Sequence, residues 1–135
     1  MIKRSAIAAL AILACALGLI ACGGDDSEGA TAEAGLSKED YLAKADAICL
    51  DVNKRLDATK DFEKDGPAII EQGIGDLRAL PVPAGDEDTV DSMLSAAEAD
   101  LEKVKSGDTQ GPLFQDFHDQ AEAYGLKGGC TGNGG

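Results

Sequence analysis

The chain has no tryptophan, one histidine, three phenylalanines and two tyrosines among its 135 residues. Aromatic side chains bury the most surface per residue, so the core such a chain builds is modest. Basic residues are also scarce: 12 Lys and Arg stand against 25 Asp and Glu, for a formal charge of −13. That balance excludes the basic patch with interleaved aromatics of a nucleic-acid binder, and no nucleic-acid partner is expected. Catalytic signatures are missing too. The chain has no G-x-S-x-G elbow, no glycine-rich phosphate loop, no D-x-[DN]-x-[DN]-G calcium loop and no C-x-x-C or C-x-x-C-H. No segment alternates with strand period, and no internal repeat occurs.

What is present begins with a basic start, Lys3 and Arg4, and an apolar run over residues 6–21. This is the layout of a secretory signal. At about sixteen residues the run is shorter than the roughly twenty a membrane-crossing helix needs. It ends in Leu19-Ile20-Ala21-Cys22, with Gly23-Gly24 behind. This segment resembles the lipobox of a bacterial lipoprotein signal peptide. The resemblance implies that residues 1–21 are removed, that Cys22 is acylated, and that lipid on Cys22 holds the mature protein on the extracytoplasmic face of a cell membrane. A single acyl chain anchors only marginally, and lipoprotein maturation supplies at least two. The other readings of this stretch are ordinary cleavage near Ala21, leaving Cys22 a free thiol, and an uncleaved signal anchor.

Loss of residues 1–21 removes Lys3 and Arg4 and no acid, which moves the formal charge from −13 to −15. Cys15 goes with the signal, leaving Cys49 and Cys130 besides Cys22. Outside the cytoplasm an even pair in a small domain reads as a disulfide. Closing a loop of about 82 residues stabilises a fold by about 4.5 kcal/mol in the chain-entropy model. A free or intermolecular pair is the alternative.

Residues 23–35 contain no large apolar side chain, so residues 22–35 read as a lipidated N-terminus and flexible tether with a reach of about 20 Å. The folded domain is expected over residues 36–130. Ser37 is a helix N-cap with Asp40 at N3, and Leu36 staples onto Tyr41. Tyr41, Ala45, Ile48, Cys49, Val52 and Leu56 then form one apolar face of a helix running to about Lys60. A second helix is expected from Gly66-Pro67, with Ile70, Ile74 and Leu77 as its stripe. Gly73 and Gly75 make it the weakest of the set. Pro81 and Pro83 enforce an extended crossing. A third helix begins near Asp86-Glu87-Asp88 and carries Val90, Met93, Leu94, Ala97, Leu101 and Val104. A fourth follows Gly111-Pro112 with Leu113, Phe114, Phe117, Ala121 and Tyr124, and Gly125 fits its left-handed C-terminal position. Residues 127–130 read as a loose segment that lets Cys130 reach Cys49, and residues 131–135 as a disordered tail. The expected fold is all-α, a small four-helix bundle with one disulfide.

The segment from Tyr41 to Asn53, with Cys49 inside it, the late Tyr124-Gly125-Leu126 and the closing Cys130 resemble a group of uncharacterised small helical lipoproteins and secreted proteins of Gram-positive bacteria. The resemblance implies a helical fold with a Cys49–Cys130 bond and lends no activity.

Candidate sites are few. His118 lies at the edge of the fourth helix's apolar stripe, and zinc or haem would need further soft ligands beside it. Asp86, Glu87, Asp88 and Asp91 form the densest acidic cluster outside the tether. They are weak candidates for a divalent-cation site, or acids placed at a helix N-terminus by its dipole. Asn53, one turn after Cys49, is placed to hydrogen-bond backbone near the disulfide. The expectation is a monomeric, non-enzymatic domain with no cofactor, which binds an envelope protein or does structural work. The alternative is a low-affinity cation or small-ligand binder at the cell surface.

Overall fold

A computed structural model describes residues 35–132. The signal segment, Cys22, all of the tether but Gly35, and residues 133–135 lie outside the described residues. Among the described residues every regular element is helical: α1 (Lys38–Ala58), α2 (Phe62–Arg78), α3 (Glu87–Ser106), α4 (Gln115–Tyr124) and a 3-10 turn, Gly128–Thr131. No helix among them is long and apolar enough to cross a membrane.

α1 starts where its cap chemistry places it. The Ser37 hydroxyl accepts from the Asp40 N–H at 3.1 Å, and the Leu36 N–H donates to the Pro81 carbonyl, tying the entry of α1 to the α2–α3 crossing. The turn after α3 ends on Gly107 at φ 76° and α4 ends on Gly125 at φ 111°, conformations that glycine adopts without a Cβ clash. At Gly125 the Leu126 N–H donates to the Ala121 carbonyl and the Gly125 N–H to Glu122, the paired bonds of a Schellman end. Leu126 is thereby folded back into the core.

Three boundaries differ from the sequence expectation. α2 begins at Phe62, not at Gly66-Pro67, and carries Pro67 inside it. The Asp61 carboxylate caps it by accepting from the Lys64 N–H at 3.2 Å, and Thr59 Oγ1 donates to Asp65 at 3.1 Å. Gly66 lacks the Cβ that would crowd the proline ring, so the helix passes through at the cost of one hydrogen bond. α4 begins at Gln115 rather than just after Pro112, because Phe114 takes a left-handed φ of 61°. Residues 128–131 form a 3-10 turn in which Gly129 and Cys130 are buried, rather than a loose segment running into a tail at Thr131.

The core joins Tyr41, Ala45 and Cys49 of α1 to Ile70, Ile74 and Leu77 of α2, to the α3 stripe Val90, Met93, Leu94, Ala97 and Leu101, and to Phe117, Ala121 and Tyr124 of α4. Each helix packs on the next in chain order, and the 3-10 turn packs against both α1 and α4, closing the ring. Cys49 and Cys130 form a disulfide across that closure, with Cα atoms 5.2 Å apart and a sequence separation of 81. The rings of Tyr41 and Tyr124 meet edge to face at 5.9 Å, the geometry favoured by aromatic quadrupoles.

Candidate functional site

Beneath the disulfide lies an apolar pocket of about 110 Å³. α1 contributes Cys49, Val52, Asn53 and Leu56, α2 contributes Ile70, Gly73, Ile74 and Leu77, and α3 contributes Ala97. Phe114, Phe117, His118 and Gly129 complete it. Two of its lining positions are glycines, each kept small by the atoms packed against it. At Gly73 the reason is steric, since a Cβ there would collide with Val52 Cγ2 where α1 and α2 approach. At Gly129 a Cβ would stand 2.7 Å from the Cys49 carbonyl carbon. Ala97 is the smallest member of the α3 stripe, and two or three larger residues flank it on each side.

The lining contains no Asp, Glu, Lys or Arg. Its polar members are Asn53 and His118. The Asn53 side-chain amide donates to the Gly129 carbonyl at 3.1 Å, the bond to backbone near the disulfide that its position predicts. Burial pushes the His118 pKa down, against a smaller upward pull from Asp119, so the ring is neutral at pH 7.

Phe114 is held in the pocket wall by a contact that the sequence reading missed. Its backbone N–H donates to the carboxylate of Asp100, a residue only 7% exposed on the inner face of α3. The other Asp100 oxygen accepts from Lys103 Nζ at 2.6 Å. Burial pushes the Asp100 pKa up, but the bonds from Lys103 and the Phe114 amide outweigh it and hold the carboxyl below its ordinary value. A non-glycine residue at positive φ costs about 1 kcal/mol or more and persists where its surroundings over-determine it. The signal was available in the sequence. Asp100 falls three residues after Ala97 and four before Val104, on the apolar stripe itself, where an acid needs partners.

The acidic candidates do not converge. Asp86 Oδ2 accepts from the Tyr124 hydroxyl at 2.7 Å and lies 3.7 Å from Lys38 Nζ. Glu87 accepts from the Gly85 N–H at 2.8 Å. Asp91 accepts from Arg78 at 2.6 Å. Asp88 is exposed in the first turn of α3, where with Glu87 it meets the positive end of the helix dipole. Among the described residues no group of three or more His, Cys, Asp and Glu side chains is gathered as metal ligands would be.

A larger groove of about 460 Å³ runs between α2 and α3, but ion pairs span it. Arg78 bonds Glu98 at 2.7 Å and Lys105 bonds Glu71 at 2.9 Å. Hydrogen bonds from Arg78 hold the Glu98 pKa below its usual value, and those to Glu98 and Asp91 raise that of Arg78. These charges clamp two helices and leave little free for a ligand. Comparison of the chain with protein-family models, with curated proteins and with solved structures finds no match.

Proposed function

We propose that the chain is a lipid-anchored, extracytoplasmic protein whose helical domain binds a small ligand in the pocket beneath the Cys49–Cys130 disulfide, without catalysis. The observation that carries the binding half is the pocket itself, an apolar concavity with two polar groups at its wall, the lining pattern of a small-molecule site on a scale smaller than most. An enclosed cavity of about 150 Å³ lined by Leu, Ile and Phe holds benzene or xenon, whereas this one is partly open to solvent. Removing about six carbons from water at roughly 0.8 kcal/mol each gives about 5 kcal/mol, a dissociation constant of a few tenths of a millimolar.

Support for the anchored half is the run of residues 3–22 and the pairing of Cys49 with Cys130, a bond that persists in oxidising compartments. Carbon-13 methyl spectra of the chain titrated with benzene test the binding. Resonances of Ile70, Ile74 and Leu56 are expected to move together and saturate, and their failure to move overturns the reading. Mass spectrometry of the protein from its own host tests the anchor: an unmodified Cys22 in protein that stays in the aqueous phase overturns it.

A further inference from the structure

We propose that the ligand of this pocket is an uncharged apolar group of about six heavy atoms, carrying at most one hydroxyl or ester oxygen, and that the site rejects both carboxylates and ammonium ions. The inference rests on the pocket reading above and adds the chemical class to it. Size comes from the volume of about 110 Å³, below the 150 Å³ of an engineered cavity that takes benzene.

Neutrality comes from the lining. An ionised carboxylate brought against Leu56, Ile70, Ile74 and Leu77 would lose its hydration and find no Lys or Arg to replace it. The formal charge of −13 adds long-range repulsion of anions. That same field draws cations to the surface, but the pocket holds no carboxylate to receive one. One polar atom is tolerated because neutral imidazole both donates and accepts. The ring of His118 is half-buried at the wall, with its Nδ1 edge against Gly132, where a Cβ would stand 2.9 Å from that nitrogen. The Asn53 amide already spends one N–H on Gly129.

The test is a matched series of six-carbon probes: 1-hexanol, hexanoate and hexylammonium, with benzene as the hydrocarbon reference. The protein is the mature chain, residues 22–135, carrying Cys22→Ser so that neither acyl chain nor free thiol competes, with its cooperative melt checked first. Thermal shift at pH 7.5 and moderate salt is read against ligand concentration. Two filling variants accompany it, Ala97→Leu from α3 and Leu56→Phe from half-buried α1, so that one remains if the other misfolds. The expected result is that hexanol and benzene stabilise the chain at least tenfold more potently than hexanoate or hexylammonium, and that a folded filling variant loses the effect. Equal potency of hexanoate or hexylammonium overturns the neutrality claim while the pocket reading stands. No shift with any probe, or a shift unchanged in the filled variants, overturns the pocket reading and this inference together.

Discussion

The side-chain amide of Asn53 bonds the carbonyl of Gly129 at 3.1 Å, across 76 residues of sequence. Asn53 sits one turn beyond Cys49, and Gly129 immediately precedes Cys130, so the bond and the disulfide clamp the same turn onto α1. Loss of one part-buried neutral hydrogen bond costs about 1 kcal/mol. Asn53→Ala is therefore expected to lower the melting temperature by about 4–8 °C for a domain of this size. The double variant Cys49→Ala, Cys130→Ala is expected to cost about 2–5 kcal/mol, because it frees a loop spanning 81 residues. Once the disulfide is gone, Asn53→Ala should cost less than it does alone, since the turn it holds has already loosened. Additive losses in urea titrations of the four chains would show that the two fastenings act independently.

Gly73 and Gly75 look alike in sequence and are opposite in place. Gly73 is buried at the α1–α2 approach, where an added Cβ meets Val52, whereas nothing lies within 4 Å of a Cβ at exposed Gly75. Gly75→Ala should stabilise the domain by about 0.5–1 kcal/mol, the ordinary gain of alanine over glycine inside a helix. Gly73→Ala should destabilise it, by about 1–3 kcal/mol of overpacking. Denaturant midpoints of the two variants falling on the same side of the wild type would contradict this.

The two tyrosines make a second pair. Tyr124 donates its hydroxyl to Asp86, and its pKa is raised, chiefly by burial and then by that carboxylate. Tyr41 is fully buried and its hydroxyl has no hydrogen-bond partner among the described residues. A buried hydroxyl without a partner is a net cost, and deleting it leaves ring packing intact. Tyr41→Phe is expected to match or exceed the wild type in stability. Tyr124→Phe is expected to lose about 1.5–3 kcal/mol, the worth of a hydrogen bond to a charged acceptor. Equal destabilisation by both substitutions in chemical unfolding would refute the contrast.

Most of the fold was legible because apolar residues recur at helical steps and because stops are written in glycine and proline. The stripes of α1 and α3, the ends at Gly107 and Gly125, and the Cys49–Cys130 pairing needed no tertiary information beyond the assumption of one core. The start of α2 was misread because Pro67 is a strong local signal for a first turn, yet the Asp61 cap and the absent Cβ of Gly66 let the helix begin five residues earlier. The start of α4 depended on a contact 14 residues away in sequence, between Asp100 and the Phe114 amide. Asp100 on the apolar stripe signals that it needs a partner, but nothing local to residues 112–115 names Phe114 as that partner. The pocket was illegible for a related reason: its lining gathers residues from α1, α2, α3, α4 and the 3-10 turn, remote in sequence, that meet only in the folded domain. Its wall residue His118 was placed correctly at the edge of a stripe, but nothing in the stripe says that the neighbouring space is unfilled.

Asp100 also sets an acid dependence. Its folded-state pKa is lowered, so the unfolded chain binds the proton more readily, and stability rises with pH through that window. The contribution is fully present above the ordinary aspartate value of about 4 and disappears as the pH falls through the lower folded value. At pH 7 Asp100→Ala removes the acceptor of a backbone N–H and of a lysine, with an expected cost of about 1.5–3 kcal/mol. As the pH falls below about 4 the unfolded wild type takes up the proton first, and the folded carboxylate is lost only at its lower value, so the gap between the two proteins should narrow across that range. Other carboxylates titrate over this range too, Glu98 among them with its pKa also lowered, but they are common to both chains and drop out of the difference. Because Asp100 holds Phe114 at its positive φ, the variant should relax that turn and perturb the pocket wall, weakening benzene binding along with stability. Urea unfolding of both chains at pH 3, 5 and 7, with benzene titrations at pH 7, measures each effect. A pH-independent gap, or unchanged benzene affinity in the folded variant, would mean that Asp100 does not fix the wall.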